Sequence, residues 1–338
     1  MPFSLEDKIV VGISTRALFD LEKENKIFEE QGIEAYREYQ EANENVPLNK
    51  GVAFPFIKRL LTINKVFPEE QPIEVVLLSR NSAMTGLRVF NSLEKYGLNI
   101  SRGAFMSGSS AIKYIPAFNI SLFLSMDEKD VAEGIKNGFP AGHFLSGAVD
   151  DEGNELRIAF DFDGVIADDS SEKIYQNEGI TPYHKHEQIH GEESLGEGPL
   201  SRFFRQIAAF QKLEREKLKE DPKYKKILRT AIVTARNAPA HKRIISTLKA
   251  WNVEVDEMLL LGGADKTPFL KQLRPHVYFD DQDRNLQSLR EMGLPAVHIP
   301  FGVLNKQEST KETEGANGEG SASEQCRCLI GSYLNLAA

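Results

Sequence analysis

The stretch Arg157 to Asp169, RIAFDFDGVIADD, drives an apolar run straight into Asp161, Asp163, Asp168 and Asp169. If RIAF is a buried strand, Asp161 sits where it emerges, Asp163 follows two residues on, and Gly164 frees the backbone to turn. Ligands of parallel α/β sheets bind at the carboxyl ends of the strands. Two carboxylates this close repel unless a divalent cation or a shared proton offsets their charge. An oxygen-rich site of this kind suits Mg²⁺, which keeps several waters and takes one or two carboxylates plus substrate phosphate. A solvated acidic loop is the plainer reading, but it does not explain why the acids close an apolar strand.

Three later segments add matching chemistry. AIVTAR ends in Thr234, Ala235 and Arg236, where the hydroxyl can hold a phosphate oxygen. Arg236 fits either a substrate contact or a pairing with a carboxylate. GGADKTP supplies Lys266, a cation able to neutralise phosphate and an attacking carboxylate. HVYFDD ends in Asp280 and Asp281, two further metal-ligand candidates. Each is weak alone; in this order, each at or just after a strand end, they form a specific set for phosphate chemistry.

The elements that must position them read as short apolar runs alternating with charged amphipathic segments. KIVVGIS, IEVVLLS, ISLFLS, LRIAFDFD, RTAIVTA, EMLLLGG and HVYFDD are expected strands; GLRVFNSLEKYG and AHKRIISTLKAWN are expected helices. This alternation predicts an α/β protein with parallel sheets. The 338 residues, 41% hydrophobic with a net charge of -9, suit two domains, placed at 1-150 and 151-303. Residues 304-338 are polar and Gly/Ser-rich, the pattern of a disordered tail. The acidic balance argues against a nucleic-acid partner but not against a small anionic substrate. The start of the chain lacks a signal-peptide pattern, no apolar run is long enough to span a membrane, and the two cysteines, Cys326 and Cys328, are poorly placed to bridge. A soluble cytoplasmic protein is the expectation.

The order DFDGV, VTAR, Lys266 and FDD resembles the haloacid dehalogenase superfamily, and more closely the cytosolic 5'-nucleotidase I family. That likeness runs from VGISTRALFDLE and EQGIEAYREYQ, through GVAFPFIKRL and VLLSRNSAMTGLRVFNSL, to IVTAR, RPHVYFDDQ and EMGLPAVHIPFGV, about residues 8 to 303. The resemblance implies an Mg²⁺-dependent hydrolysis of nucleoside 5'-monophosphates, AMP prominent among them. Asp161 would be the nucleophile and Asp163 the general acid and base. Thr234 and Lys266 would cradle the phosphate, and Asp161, the Asp163 carbonyl and Asp280 or Asp281 would hold the metal. It further implies a helical cap over about residues 170 to 226 and allows a homo-oligomer. Phe203, Phe204 and Phe210 in that segment could stack on a base, with core packing the favoured alternative.

The two halves also resemble each other. Displaced by 147, Lys26-Ile27, Gly32-Ile33, Tyr36, Gly51 and Phe56 fall on Lys173-Ile174, Gly179-Ile180, Tyr183, Gly198 and Phe203. Displaced by 155, Arg88, Leu93, Gly108, Gly138, Pro140-Ala141 and His143 fall on Arg243, Leu248, Gly263, Gly293, Pro295-Ala296 and His298. The reading is a tandem pair of Rossmann-like, haloacid-dehalogenase-like three-layer units, the first degenerate and the second catalytic; the alternative is the strand-helix rhythm that any two α/β halves share. Asp161, Asp163, Thr234, Lys266 and Asp280-Asp281 then correspond to Ser14, Arg16, Ser79, Ala111 and Ser125-Met126. The first half lacks the acids. Ser14, Thr15, Arg16, Ser79, Arg80 and Asn81 are either scaffold or a metal-free anion site for a nucleotide effector. One rival motif remains, HEQIH at His186 to His190, which fits a zinc-protease pattern but shows no third ligand.

Overall fold

The computed structural model describes residues 4–303 and Asn305. The tail expected over 304-338 therefore lies, apart from Asn305, outside the described residues, as do both cysteines. In the first half the strands are β1 (Ile9–Ser14), β2 (Phe19–Asp20), β3 (Asn49–Lys50), β4 (Ile73–Ser79), β5 (Arg102–Phe105), β6 (Leu122–Ser125) and β7 (Ala141–Ser146). The second half contributes β8 (Leu156–Phe160), β9 (Leu228–Thr234), β10 (Glu257–Leu260), β11 (Val277–Asp280) and β12 (Ala296–His298). The helices are α1 (Thr15–Leu18), α2 (Glu22–Ala42), α3 (Phe54–Val66), α4 (Gly86–Lys95), α5 (Glu128–Lys136), α6 (Ser170–Glu178), α7 (Ile180–Ile189), α8 (Ser201–Glu220), α9 (His241–Ala250), α10 (Thr267–Leu273) and α11 (Asp283–Glu291).

Ten strands form one sheet in the order β10-β9-β8-β11-β12-β7-β6-β1-β4-β5. Every neighbouring pair is parallel except β12 and β7, which meet antiparallel with His298 opposite His143. Each half thus repeats the order third, second, first, fourth, fifth, and the halves are joined at their fifth strands. Because that join is antiparallel, the carboxyl ends of the two sets of strands lie at opposite edges of the sheet.

The likeness extends to individual contacts. Gly32 interrupts α2 at φ 86, ψ -177, and Gly179 separates α6 from α7 at φ 84, ψ -176, a conformation open to glycine alone. Ser92 Oγ donates to the Arg88 carbonyl and accepts from Leu48 N; Thr247 Oγ1 does the same with Arg243 and Leu195. Strand-helix rhythm alone does not reproduce such contacts. The halves nevertheless share one apolar core, with residues from Ile9 to Ile299 in a single cluster. Phe67 in the first half packs edge-on against Phe210 in the second, ring centroids 5.0 Å apart.

The helical segment expected as a cap divides in two. α6 and α7 sit beside the ends of β8 and β9, as α2 does in the first half. α8 instead lies in the helical layer, because Phe203, Phe204, Ile207 and Phe210 make a continuous apolar face, all at most 2% exposed, within a run otherwise rich in charge. Phe203 and Phe204 pack on Phe160, so these rings are core residues. Among the described residues no helix is long and apolar enough to cross a membrane.

The connection between the halves is fastened by Asp151. Its carboxylate accepts from Arg59 on α3, 2.7 Å, from Arg157 on β8, and from His276 Nε2, 3.1 Å, while His276 Nδ1 accepts the Arg157 amide at 3.0 Å. Burial pushes the His276 imidazole down from 6.5 to about 4 against the pull of Asp151. The unfolded chain then binds the proton more readily than the folded one. The histidine's contribution is therefore full above pH 6.5 and is lost as the pH falls toward 4. We expect His276→Asn, which keeps an acceptor for the Arg157 amide, to flatten the stability loss measured by urea unfolding across that window. A slope equal to the parent's would contradict this assignment.

Candidate active site

β8 is apolar throughout its inward positions and delivers Asp161 at its carboxyl end, 5% exposed. β11, its parallel neighbour, delivers Asp280 and Asp281, 0% and 4% exposed. Lys266 enters from the cap position of α10, and its Nζ lies 2.9 Å from Asp161 Oδ2 and 2.7 Å from Asp280 Oδ2. Four buried ionisable groups therefore meet where two adjacent strands end.

Their charges do not balance. Burial pushes the Asp161 carboxyl up to about 7 although Lys266 pulls it down, and burial with the neighbouring Asp280 raises Asp281 well above the usual carboxylate range. Burial also disfavours the Lys266 ammonium, but Asp161 and Asp280 outweigh it and raise its pKa. One cation among three carboxylates leaves a net demand for positive charge.

The two terminal aspartates are not equivalent. Both Asp280 oxygens are occupied: Oδ2 by Lys266, Tyr278 OH and Asn285 Nδ2, and Oδ1 by Gln282 N and Asn285 Nδ2. Asp281 Oδ1 is buried with no hydrogen-bond partner. Gly164 (φ 72) passes so close to it that an added Cβ would meet Asp281 Oδ2 at 2.5 Å. Oxygens of Asp161, Asp280 and Asp281 lie within 4.8 Å of one another, the one such group of three among the described residues. An unsatisfied buried oxygen beside two further carboxylates fits a hard divalent cation. Tyr278 and Asn285 were not legible as site residues, since each acts only by donating to Asp280.

Thr234 ends β9 fully buried, its Oγ1 accepting the Arg236 amide at 3.1 Å, and Ala235 is exposed beside it. The Asp163 carboxylate lies outside the acidic trio. Arg236 grips it with two hydrogen bonds, Nε to Oδ2 at 2.7 Å and Nη2 to Oδ1 at 2.6 Å, and also donates to Glu187 on α7. Arg236 therefore pairs with carboxylates. Glu187 is the middle acid of HEQIH, and it is fully buried against Arg236 and Arg243. Engaged in this way it is not free to serve a zinc-bound water, and no group of three metal-ligating side chains gathers around His186 and His190 among the described residues.

At the opposite edge of the sheet, Ser14 caps α1 and Thr15 Oγ1 donates to Ser79 Oγ at 2.8 Å. Ser79 Oγ accepts the Asn81 amide at 3.1 Å, the counterpart of the Thr234–Arg236 contact. Arg80 is held by Asp127 and Asp130 and is not free for an anion. Arg16 is exposed. These residues are gathered, without a carboxylate corresponding to Asp161 or Asp280.

A buried aspartate beside a lysine and a paired acid could bind a cation and a phosphate. The family model described as 5'-nucleotidase matches residues 1–306. The chain belongs to the 5'-nucleotidase family. It is 34% identical over 304 residues to cytosolic 5'-nucleotidase 1B of Homo sapiens, an alignment covering 87% of this chain and 49% of that protein. The chain thus spans about half the length of this 5'-nucleotidase relative. No solved structure matches.

A divalent cation that binds the trio of the folded chain stabilises it by mass action, roughly 2.7 kcal/mol at a hundredfold excess over its dissociation constant. We expect Mg²⁺ to raise the melting temperature and Asp281→Asn to remove most of that rise. An undiminished rise in the variant would place the cation elsewhere.

Proposed function

We propose that the chain is a phosphoric monoester hydrolase that converts nucleoside 5'-monophosphates, AMP among them, to nucleoside and phosphate through an aspartyl-phosphate, and that it works in the cytosol. What supports this reading above all is the buried cluster in which Lys266 touches both Asp161 and Asp280 while Asp281 keeps an oxygen open. Family membership points the same way, and so does the relative's printed name.

In this reading an Asp161 oxygen attacks phosphorus in line, and the bond from phosphorus to the ribose 5'-oxygen breaks. Asp163 gives its proton to the departing oxygen. Water then attacks the phosphorus of the acyl phosphate, Asp163 takes a proton from it, and cleavage of the Asp161–phosphorus bond releases phosphate. Lys266 and Thr234 steady the phosphoryl oxygens, which Lys266 does from the position where it already neutralises Asp161. Arg236 keeps Asp163 aimed. Mg²⁺ would be held by Asp161, Asp281 and the Asp163 carbonyl, with Asp280 positioning Lys266, and when bound it screens the approach of carboxylate to phosphate. α6 and α7 would shield the reacting atoms from water.

The first-half cluster enters the proposal only as a weaker anion site for an effector, with Arg16 as its cation; Arg16→Ala should leave basal turnover intact. The nucleotidase reading itself is tested by phosphate release from a panel of nucleoside monophosphates and sugar phosphates with Mg²⁺ present. We expect the nucleotides to be preferred and Asp161→Asn to lose roughly a thousandfold or more in kcat. Release from sugar phosphates alone would refute the substrate class. Parental rates in Asp161→Asn would refute the nucleophile.

A further inference from the structure

Glu187 has no task in the chemistry just described, yet it is a fully buried carboxylate at the edge of the site. Its Oε2 accepts from Arg236 and its Oε1 accepts from Arg243 at 2.9 Å and from Ser171 at 2.8 Å. Burying such a group is costly unless its partners require it. The first half builds a similar corner with its carboxylate at a different position. There Arg88 donates to Gln40 Oε1 at 3.0 Å and to Glu24 at 2.9 Å. Gln40 Nε2 donates to Tyr36 OH at 3.0 Å, and Tyr36 OH donates to Asn81 at 3.3 Å. Gln40, Tyr36, Arg88 and Asn81 correspond to Glu187, Tyr183, Arg243 and Arg236.

In the first half the carboxylate that meets the arginine is Glu24 on the same helix; its counterpart in the second half is Ser171, which donates to Glu187. Only the half that carries Asp163 has an arginine in place of Asn81, and only that half has a carboxylate in place of Gln40. Glu187 meets Arg243 as Glu24 meets Arg88, and it alone also meets Arg236, whose fork holds Asp163.

We propose that Glu187 is a positioning residue for the leaving-group step: it anchors Arg236, which in turn fixes the side chain of Asp163. The inference rests on the reading of Asp163 as acid and base. Glu187 gives the guanidinium a second anchor besides Asp163, and the rings of Phe162 and Tyr183 lie against it.

The test compares substrates that differ in how much their leaving group needs a proton. The nucleoside 5'-alkoxide needs one; p-nitrophenolate, released from p-nitrophenyl phosphate, does not. We expect Glu187→Gln to lower kcat/KM about tenfold for a nucleoside monophosphate and less than about twofold for p-nitrophenyl phosphate. Glu187→Gln keeps the side chain's shape and an acceptor oxygen, its melting temperature checks that folding is retained, and Arg236→Lys, which keeps the charge and loses the fork, should give the same selective loss. Asp163→Asn serves as the reference. If it shows the selective loss and Glu187→Gln shows either no loss or an equal loss on both substrates, the positioning role is overturned. If Asp163→Asn is itself unselective, the acid reading of Asp163 fails, and this inference falls with it.

Discussion

Lys266 is one cation set among three carboxylates that the sheet has taken out of water, two of which it touches, and the remaining site follows from that imbalance. β8 and β11 lie side by side in parallel, so the acids at their ends must approach one another. The lysine reaches both Asp161 and Asp280, leaving Asp281 with a bare oxygen. Such an arrangement is poorly suited to stability, since a hydrophobic replacement would serve the fold better. It is well suited to receiving a cation and a phosphate, whose opposite charges complete what the side chains leave unbalanced.

The first half shows what the same architecture looks like without that demand. Its strands take the same order, and its corner contacts recur in detail. Ser14 and Ser125 stand where Asp161 and Asp280 stand, and Ala111 occupies the place of Lys266. With no buried acids at those strand ends there is no need for a buried lysine there. Because the halves join antiparallel through β7 and β12, the two equivalent corners face opposite edges of one sheet. They therefore share a core but not a cleft.

Much of this was legible in the residues. The strands that carry the acids are short, mostly apolar runs closed by the acids themselves, and IEVVLLS is a strand over the whole expected span. The fifth strands were not foreseen: AVH is three residues long and AGHFLS is interrupted by glycine and histidine. Yet the internal match at Gly138, Pro140-Ala141 and His143 had already marked them. In α8 the charged positions outnumber the apolar ones, whereas burial depends on which face they occupy, and Phe203, Phe204 and Phe210 pack in the core as favoured. Glu187 was invisible as a buried acid, since its partners Arg236 and Arg243 stand 49 and 56 positions away in sequence. The difference between Asp280 and Asp281 was equally hidden, because it depends on donors from Tyr278 and Asn285.

The account stands or falls on the phosphoryl group passing to one carboxylate. Turnover of a nucleoside monophosphate can be stopped by acid, the trapped acyl phosphate reduced with borohydride, and the digested protein examined by mass spectrometry. The expected result is conversion of Asp161, and of no other aspartate, to homoserine in the presence of substrate. Substrate turnover that leaves Asp161 unmodified while another aspartate, or none, is converted would contradict it.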